Sequence, residues 1–284
     1  MTCQSRRITA KPTPRMCMNP TAESQSPERL HYAHNAAPWL AACSDVGMRH
    51  STNQDAVCLA LTPGSERTAI IAVSDGVSSA YGAEAASQVA SQTFCQELIN
   101  QTALGSPGEA FAKAFRAAND AVLAASGDQP PSACTLIGAL VSPYGIVVGN
   151  VGDSRAYWIS DNHEAQQLSV DDSLAQARIM LGMSRAEAEN SRQAHSITKW
   201  LGRNAVDVMP SLMTYRPETA GWLLVCSDGL WNYTSEPANL ADLVLGLAEQ
   251  HHLAADLAGA LVAWANAQGG RDNITVALAR FDRR

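Results

Sequence analysis

The 284-residue sequence predicts an α+β sandwich of antiparallel sheets. Two observations carry this prediction. Strand patterns occur in runs and helix patterns follow them, whereas a doubly wound parallel sheet would alternate strand and helix. Several strand patterns are also short apolar runs, partly β-branched and bounded by turn residues, as expected of strands buried inside a protein.

The first half of the chain contains two strand patterns, two helix patterns and then a meander. Strands are predicted at 56–61 and 68–73, joined by a Pro63-Gly64 turn. Helices are predicted at 82–101 and 108–126, where apolar residues recur at helical spacing. The meander consists of strands near 134–141, 144–151 and 154–159.

The second half begins with an excursion from the sheet at 173–195. It contains two short helical segments separated by Gly182. Ser184 stands three residues before Glu187, which is the spacing of a capping box. The remaining patterns predict a strand at 222–226, helices at 238–249 and 253–267, and a last strand at 273–281.

Composition excludes several classes of protein. The formal charge of −7 and the pI near 5.5 argue against nucleic acid as a partner, because phosphate backbones are bound by clustered Lys and Arg. Seven scattered cysteines without a C-x-x-C pair indicate neither a disulfide framework nor a thiolate zinc site, so a reducing cytoplasm is expected. No apolar run approaches the roughly 18 residues that span a bilayer, and no membrane association is expected.

The start of the chain differs from the rest. Residues 1–36 are basic, rich in Pro, Ser, Thr and Gln, and lack the apolar segment of a secretory signal. This composition predicts a disordered tail, with an organellar transit peptide as the alternative. One folded domain is expected over 37–284.

Aspartates stand at the ends of four strand patterns. Asp75 and Asp228 each follow an apolar run within the tripeptide Ser-Asp-Gly, Asp153 follows a third run, and Asp272 directly precedes the last strand. A single Asp-Gly after a strand is ordinarily a hairpin turn. Convergent carboxylates repel one another by about 4 kcal/mol per pair at 4 Å for an effective dielectric near 20. Since Mg²⁺ and Mn²⁺ prefer oxygen ligands, the repetition predicts a divalent-metal site.

Six segments, taken in order, resemble the metal-dependent protein phosphatases, the type 2C serine/threonine family in its bacterial form. The resemblance covers roughly residues 41–282 and rests on the order and spacing of the segments. It implies a four-layer α-β-β-α sandwich, with two central sheets flanked by helices, a two-metal centre at one end and a mobile flap near 171–196. The segments are Ser44-Asp45-Val46-Gly47 with Asn53-Gln54-Asp55, Val73-Ser74-Asp75-Gly76, Gly149-Asn150-Val151-Gly152-Asp153-Ser154-Arg155, Ile197-Thr198-Lys199-Trp200-Leu201-Gly202, Cys226-Ser227-Asp228-Gly229-Leu230 and Gly269-Gly270-Arg271-Asp272-Asn273-Ile274-Thr275.

The resemblance also implies metal ligands. Asp75 would bridge two Mn²⁺ or Mg²⁺ ions, the carbonyl of Gly76 would bind the second ion, and Asp228 and Asp272 would hold the first. Asp153 matches a third, weaker metal site. The implied reaction is attack of a metal-activated water on phosphoserine or phosphothreonine, without a phosphoenzyme. Phosphorylated proteins and an opposing Ser/Thr kinase are the implied partners of a monomeric enzyme.

Catalytic positions are expected at Arg49, His50 and Asp55, but the sequence departs from the family pattern around them. Gln54 stands where the family usually has Glu, and His50 stands where it has a phosphate-binding Arg. Arg49, one residue earlier, is the better phosphate ligand because a guanidinium can donate two parallel hydrogen bonds; an ordinary surface Arg is the alternative. Residues 77–79, which follow Asp75-Gly76, contain no His that could protonate the leaving group. The acid is therefore unassigned, and the options are His50, a metal-bound water or no acid at all.

Two other functions are compatible with parts of the sequence. Cys43 and Arg49 have the C-x5-R spacing of cysteine-dependent phosphatases, but Asp45 inside that loop would repel phosphate, and a core cysteine is the ordinary interpretation of Cys43. A pseudophosphatase that only binds phosphoproteins would explain Gln54 and the displaced Arg. Retention of the metal-binding aspartates argues against that second alternative.

Overall fold

Two six-stranded antiparallel sheets stack face to face in the computed structural model, with a pair of long helices on each outer face. This arrangement confirms the predicted four-layer α-β-β-α sandwich. The structure describes residues 15–17, 30–62, 67–77, 80–101, 106–127, 129 and 132–282.

The first sheet is covered by helices α1 (Ala83–Gln101) and α2 (Pro107–Ser126). The N-terminus of α2 is capped by Ser106, whose side chain accepts a hydrogen bond from the backbone N–H of Glu109. In spatial order the strands are β1 (Arg15–Cys17), β4 (Ala56–Leu61), β5 (Ala69–Ser74), β7 (Leu136–Ser142), β8 (Gly145–Val151) and β12 (Ser211–Tyr215).

The second sheet is covered by helices α6 (Pro237–Ala248) and α7 (Ala254–Ala267). In spatial order its strands are β10 (Ala165–Gln167), β9 (Arg155–Ser160), β13 (Gly221–Cys226), β14 (Ile274–Phe281), β3 (Leu40–Asp45) and β2 (His31–Ala37). The remaining elements are the strand pair β6 (Ala133–Cys134) and β11 (Leu201–Gly202), and the short helices α3 (Leu174–Met180), α4 (Arg185–Glu189) and α5 (Asp228–Trp231).

Central strands are apolar over most of their length because both of their faces are covered. In β5, Ile71 and Val73 point into the core between the two sheets, whereas Ile70 and Ala72 pack under α1 and α2. Alternate residues of a strand face opposite sides of its sheet, so a strand inside four layers has no polar side. The uninterrupted apolar runs of the sequence are therefore a consequence of the layer architecture.

The boundary expected for the N-terminal tail differs from the structure. Residue 36 lies inside β2, which pairs with β3 at the edge of the second sheet, and β1 pairs with β4 at the edge of the first. The alternation in β2 is weak because an edge strand carries polar residues such as His31 and Asn35. Other parts of the predicted tail, and the predicted Pro63-Gly64 turn, lie outside the described residues.

Most other predicted elements are present within a few residues of their expected bounds. The excursion from the sheet contains α3 and α4, and Ser184 with Glu187 forms the predicted capping box at the start of α4. The sequence did not predict six of the strands, namely β1, β2, β3, β10, β11 and β12. No helix among the described residues is both long and apolar enough to span a membrane.

Candidate metal centre

The strand directions bring the four predicted aspartates to one end of the sandwich. β5 and β8 run in the same direction because each is antiparallel to β7 between them, so Asp75 and Asp153 follow strand ends at the same edge. In the second sheet Cys226 of β13 pairs with Val276 of β14, which places Asp228 beside Asp272.

Asp55 joins this group from the first sheet. Ala56 of β4 pairs with Ser74 of β5, so Asp55 lies opposite Asp75. Burial raises the pKa of Asp75 well above its ordinary value, and the charges of Asp55, Asp228, Asp153 and Asp272 raise this pKa further. The five carboxylates are therefore close enough to repel one another.

Three other carboxylates of this group show the same effect. Burial raises the pKa of Asp228 well above its ordinary value, with Asp153 and Asp272 as the next causes. Burial also raises the pKa of Asp55 to about 6, although a hydrogen bond from Ser227 opposes the shift. The pKa of Asp153 rises to about 7 through burial and through repulsion by Asp171. In the absence of cations the cluster would hold protons near neutral pH.

The donor set fits hard divalent cations. Asp228 receives a hydrogen bond from Asn232 on Oδ2 alone, and Asp272 receives its contacts from Asn273 and His50 on Oδ1 alone. Within the described part of the chain, the second oxygen of each carboxylate has no hydrogen-bond donor and is available for a metal. Among the described residues no three His, Cys, Asp or Glu side chains are placed so that they could hold a metal ion, so metal binding would require these side chains to move.

A buried hydrogen-bond network holds the Asp55 side chain in place. The hydroxyl of Ser227 donates to Asp55 Oδ2 at 2.7 Å and accepts from the backbone N–H of Thr275 at 3.0 Å. The Thr275 hydroxyl lies 2.8 Å from that of Ser44, which accepts from Asn53 at 2.9 Å. Because Asp55 belongs to the first sheet and Ser227 to the second, this network fixes the two sheet edges relative to each other.

The Asp75-Gly76 segment is held through its backbone. The N–H of Gly76 donates to the carbonyl of Gln54 at 3.2 Å. A Cβ atom at Gly76 would lie 2.7 Å from the carbonyl oxygen of Ala83 and 2.8 Å from that of Gln54, so a larger residue would displace the chain. Gln54 contributes through its backbone, because its N–H also donates to Asn273 at 2.8 Å.

The loop after β3 carries the two expected phosphate-binding candidates. Gly47 has a φ of +76°, and a Cβ there would lie 2.2 Å from the carbonyl oxygen of Asp272, so the loop packs directly against the metal-ligand segment. His50 Nε2 lies 3.3 Å from Asp272 Oδ1, which brings His50 to the edge of the cluster. Arg49 is exposed, and its guanidinium has no hydrogen bond or ion pair among the residues described.

Cys43 lacks the properties of a nucleophile. It is buried in the core formed by the second sheet with α6 and α7, and burial together with the charge of Asp45 raises its pKa to about 12. A thiol protonated at neutral pH is a poor nucleophile. The C-x5-R match is therefore coincidental, and Cys43 is a core residue.

Arg155 organises the surroundings of the cluster in a way that the sequence did not indicate. It is 2% exposed and donates three hydrogen bonds to Asp171, at 2.7 to 3.1 Å, and one to Glu189 of α4 at 2.8 Å. Its guanidinium carbon lies 3.6 Å from the ring centroid of Trp231 in α5, whose indole N–H donates to the carbonyl of Asp153. Arg155 thus connects the predicted flap to the elements that carry Asp153 and Asp228.

A cavity of about 640 Å³ opens beside the cluster, and we name it the flap cleft. One wall is formed by Arg185, Glu189 and His195 of the flap, and the other by residues of α5, the α5–α6 connection and the segment before β14. On that second side the lining residues include Gly229, Trp231, Tyr233, Glu236, Arg271 and Asp272. Because Asp272 belongs to both the cleft and the cluster, a bound chain could reach the cluster through the cleft.

A family model described as protein phosphatase 2C matches residues 48–262. The chain belongs to this family. A serine/threonine phosphatase, stp, from Listeria monocytogenes is 28% identical to this phosphatase 2C chain over 221 residues, which is 75% of the chain and 84% of that relative.

Solved structures agree with the family assignment. The serine/threonine phosphatase of S. agalactiae has a TM-score of 0.71 and 26% identity, and the match covers 88% of this chain and 100% of that one. The catalytic domain of the phosphatase PstP, solved in complex with 2 manganese ions, has a TM-score of 0.66 and 27% identity over 86% of this chain and 98% of that domain. As a phosphatase 2C the protein is a metal-dependent serine/threonine phosphatase, and the binding-only alternative is not favoured.

Proposed function

We propose that the carboxylate cluster holds two Mn²⁺ or Mg²⁺ ions and that the enzyme uses them to hydrolyse phosphoserine and phosphothreonine in proteins. Asp75 and the carbonyl of Gly76 would hold the pair together with Asp228 and Asp272, and Asp153 would contribute to a third, weaker site. The observation that carries this proposal is the convergence of strand-end aspartates, most of them partly buried, whose charges raise the pKa values of Asp75 and Asp228. Such a cluster gains most from a bound cation.

The residues around the cluster have separate tasks. Cations bound there would neutralise phosphoryl oxygens and acidify a water for in-line attack. Arg49 would bind the phosphoryl group with its exposed guanidinium, while His50 would orient Asp272, which it contacts at 3.3 Å. Asp55, which accepts a hydrogen bond from Ser227, would fix the position of Asp75.

The partners and the setting follow from the same site. The substrates would be proteins phosphorylated by a Ser/Thr kinase. One chain supplies the whole candidate ligand set, which supports activity as a monomer. Cytoplasmic location is supported by five cysteines that are free and buried among the described residues, namely Cys43, Cys58, Cys95, Cys134 and Cys226.

The test combines metal binding with turnover of a phosphothreonine peptide. Asp75→Asn and Asp228→Asn should each weaken Mn²⁺ binding in calorimetry and lower kcat by orders of magnitude while the circular dichroism spectrum is retained. Asp120→Asn, at an exposed position of α2, is the matched control and should behave as wild type. Full activity in excess EDTA, or a phosphoenzyme trapped during turnover, would exclude the proposal.

A further inference from the structure

The flap cleft is larger than a phosphoryl group requires. Its volume of about 640 Å³ accommodates several residues of an extended peptide, and it extends from the flap to Asp272 at the edge of the cluster. Residues that flank the phosphorylated side chain of a protein substrate would therefore lie against its walls. The charges on these walls decide which flanking residues are favoured.

The charge of Arg185 is already neutralised within the protein. Its Nη1 lies 3.0 Å from Glu189 and its Nε lies 3.5 Å from Glu236, while Nη2 donates to the side-chain oxygen of Gln167 at 3.1 Å. Glu189 in turn lies 2.8 Å from Arg155. The charged groups on the flap side of the cleft already pair with one another, so they attract a further charged residue only weakly.

Arg271, on the opposite wall, is different. It is exposed, and among the described residues its guanidinium has no hydrogen bond and no ion pair. Its backbone is fixed, because its N–H donates to the hydroxyl of Tyr233 at 2.8 Å, and the Tyr233 ring packs edge-on against Trp264 with centroids 6.4 Å apart. The cleft thus presents one anchored and unneutralised cation next to the candidate metal ligand Asp272.

We propose that Arg271 is a specificity residue that binds the carboxylate of an acidic residue next to the phosphorylated one, so that the enzyme favours phosphoproteins with Asp or Glu beside the phosphosite. This inference rests on the proposed function. Arg271 directly precedes Asp272, and an extended peptide advances about 3.3 to 3.6 Å per residue. The acidic residue would therefore lie within about one to three positions of the phosphoresidue.

The test uses a pair of phosphothreonine peptides that differ only in having Asp or Asn at the flanking positions. The wild type should favour the acidic peptide in kcat/KM by about five- to tenfold at low salt, and the preference should shrink as salt screens the pair. Arg271→Gln should abolish the preference, and Arg271→Glu should reverse it in favour of the Asn peptide, because the new carboxylate would repel the acidic one. Arg116→Gln, which removes an exposed arginine of α2, should keep the wild-type ratio.

Two results would overturn the inference. An unchanged acidic-to-neutral ratio in Arg271→Gln would show that Arg271 does not contact the flanking residue. An equal loss on both peptides and on para-nitrophenyl phosphate would show that it binds the phosphoryl group instead. If the wild type turned over neither peptide with Mn²⁺, the proposed function would fail, while dissociation constants of the same peptides for wild type and Arg271→Gln would still decide whether Arg271 selects the acidic one.

Discussion

At the residue scale, the candidate centre combines buried charges with neutral groups that hold them in place. The hydroxyl of Ser227 donates a hydrogen bond to Asp55, and its oxygen accepts one from the backbone N–H of Thr275. A single side chain therefore positions a carboxylate of one sheet against the other sheet. Backbone contacts position Gly76 and Gln54 in the same way. The aspartates therefore depend on neighbours that carry no charge and would not take part in the chemistry.

Arg49 and His50 should contribute differently to activity. Arg49→Ala removes a bidentate, charge-assisted contact to phosphate and should lower kcat/KM by an amount equivalent to about 2 to 3 kcal/mol at saturating Mn²⁺. His50→Ala removes a partner of Asp272 and should mainly raise the Mn²⁺ concentration needed for half-maximal activity. Steady-state kinetics over a Mn²⁺ series separates the two effects. A nearly silent Arg49→Ala with a severe His50→Ala would show that the imidazole binds the phosphate.

The sequence predicts these residues unevenly, for a physical reason. Asp75 and Asp228 are recognisable because each closes a visible apolar strand pattern. Arg155, Asp171 and Glu189 are not recognisable as a group, because their pairing depends on how the flap packs over β9. Ion pairs between residues far apart in the sequence leave no local periodicity, so these three residues can be grouped only from the structure.

At the scale of elements, ion pairs of Arg155 and Arg185 link the flap to the body of the protein. The flap's internal apolar core is small and consists of the buried residues Ala175, Ala188 and Ala194 with Ile179 beside them. Glu189 supplies the link to Arg155 at 2.8 Å. A segment with few apolar contacts relies on such a link to remain closed over its neighbours.

Glu189→Gln should therefore loosen the flap without unfolding the domain. We expect the free energy of local flap opening to fall by about 2 kcal/mol. This is less than the roughly 3 to 5 kcal/mol lost when one partner of a fully buried ion pair is removed, because the Glu189 side chain is 15% exposed. Hydrogen exchange should accelerate across 174–196, and KM for a phosphopeptide should rise. Glu249→Gln, at the exposed end of α6, provides the control. Unchanged exchange in the flap would mean that Glu189 does not anchor it.

The long helices and most central strands of this fold were predictable, whereas the central strand β3 and the edge strands were not. The helix α2 has a Ser N-cap, a Pro at its start and a clear apolar face, so local signals agree with the tertiary structure. β12 is exposed along most of its length and lies at a sheet edge, where neither face is fully covered. Such a strand forms because the neighbouring strand, β8, provides hydrogen-bond partners, and no pattern in the sequence of β12 itself indicates this pairing.

At the scale of the whole molecule, the two sheets meet at a concentration of negative charge. The first sheet contributes Asp55, Asp75 and Asp153, and the second contributes Asp228 and Asp272. Repulsion between these groups opposes close packing of the sheet edges, and bound cations would remove it. Metal binding should therefore act on the stability of the entire sandwich.

The metal-free protein should lose stability as pH rises. The folded-state pKa values of Asp55, about 6, and Asp153, about 7, lie above those of the unfolded chain. Because the folded protein holds these two protons more tightly than the unfolded chain, protonation stabilises the fold. This contribution is fully present below about pH 4 and is lost as pH rises through the folded-state pKa values. In calorimetry, Tm in EDTA should fall between pH 5 and 7.5, and a hundredfold excess of Mn²⁺ over its Kd should raise Tm at pH 7.5 by about 5 to 10 °C.

Asp153→Asn is the control for this pH effect. It removes one of the titrating groups of the cluster and should give a flatter decline of Tm in EDTA. A Tm that rises steadily from pH 5 to 7.5 in the metal-free wild type would contradict the expected sign.

The position of β14 has a consequence for biosynthesis. Among the described strands it comes last in chain order, yet it lies between β13 and β3 in the middle of the second sheet, directly after Asp272. A ribosome-bound chain that has not yet released β14 therefore lacks both a central strand and one of the expected ligands, whatever the earlier segments have achieved. Such a chain should stay catalytically silent until β14 has emerged and paired with its neighbours in the sheet.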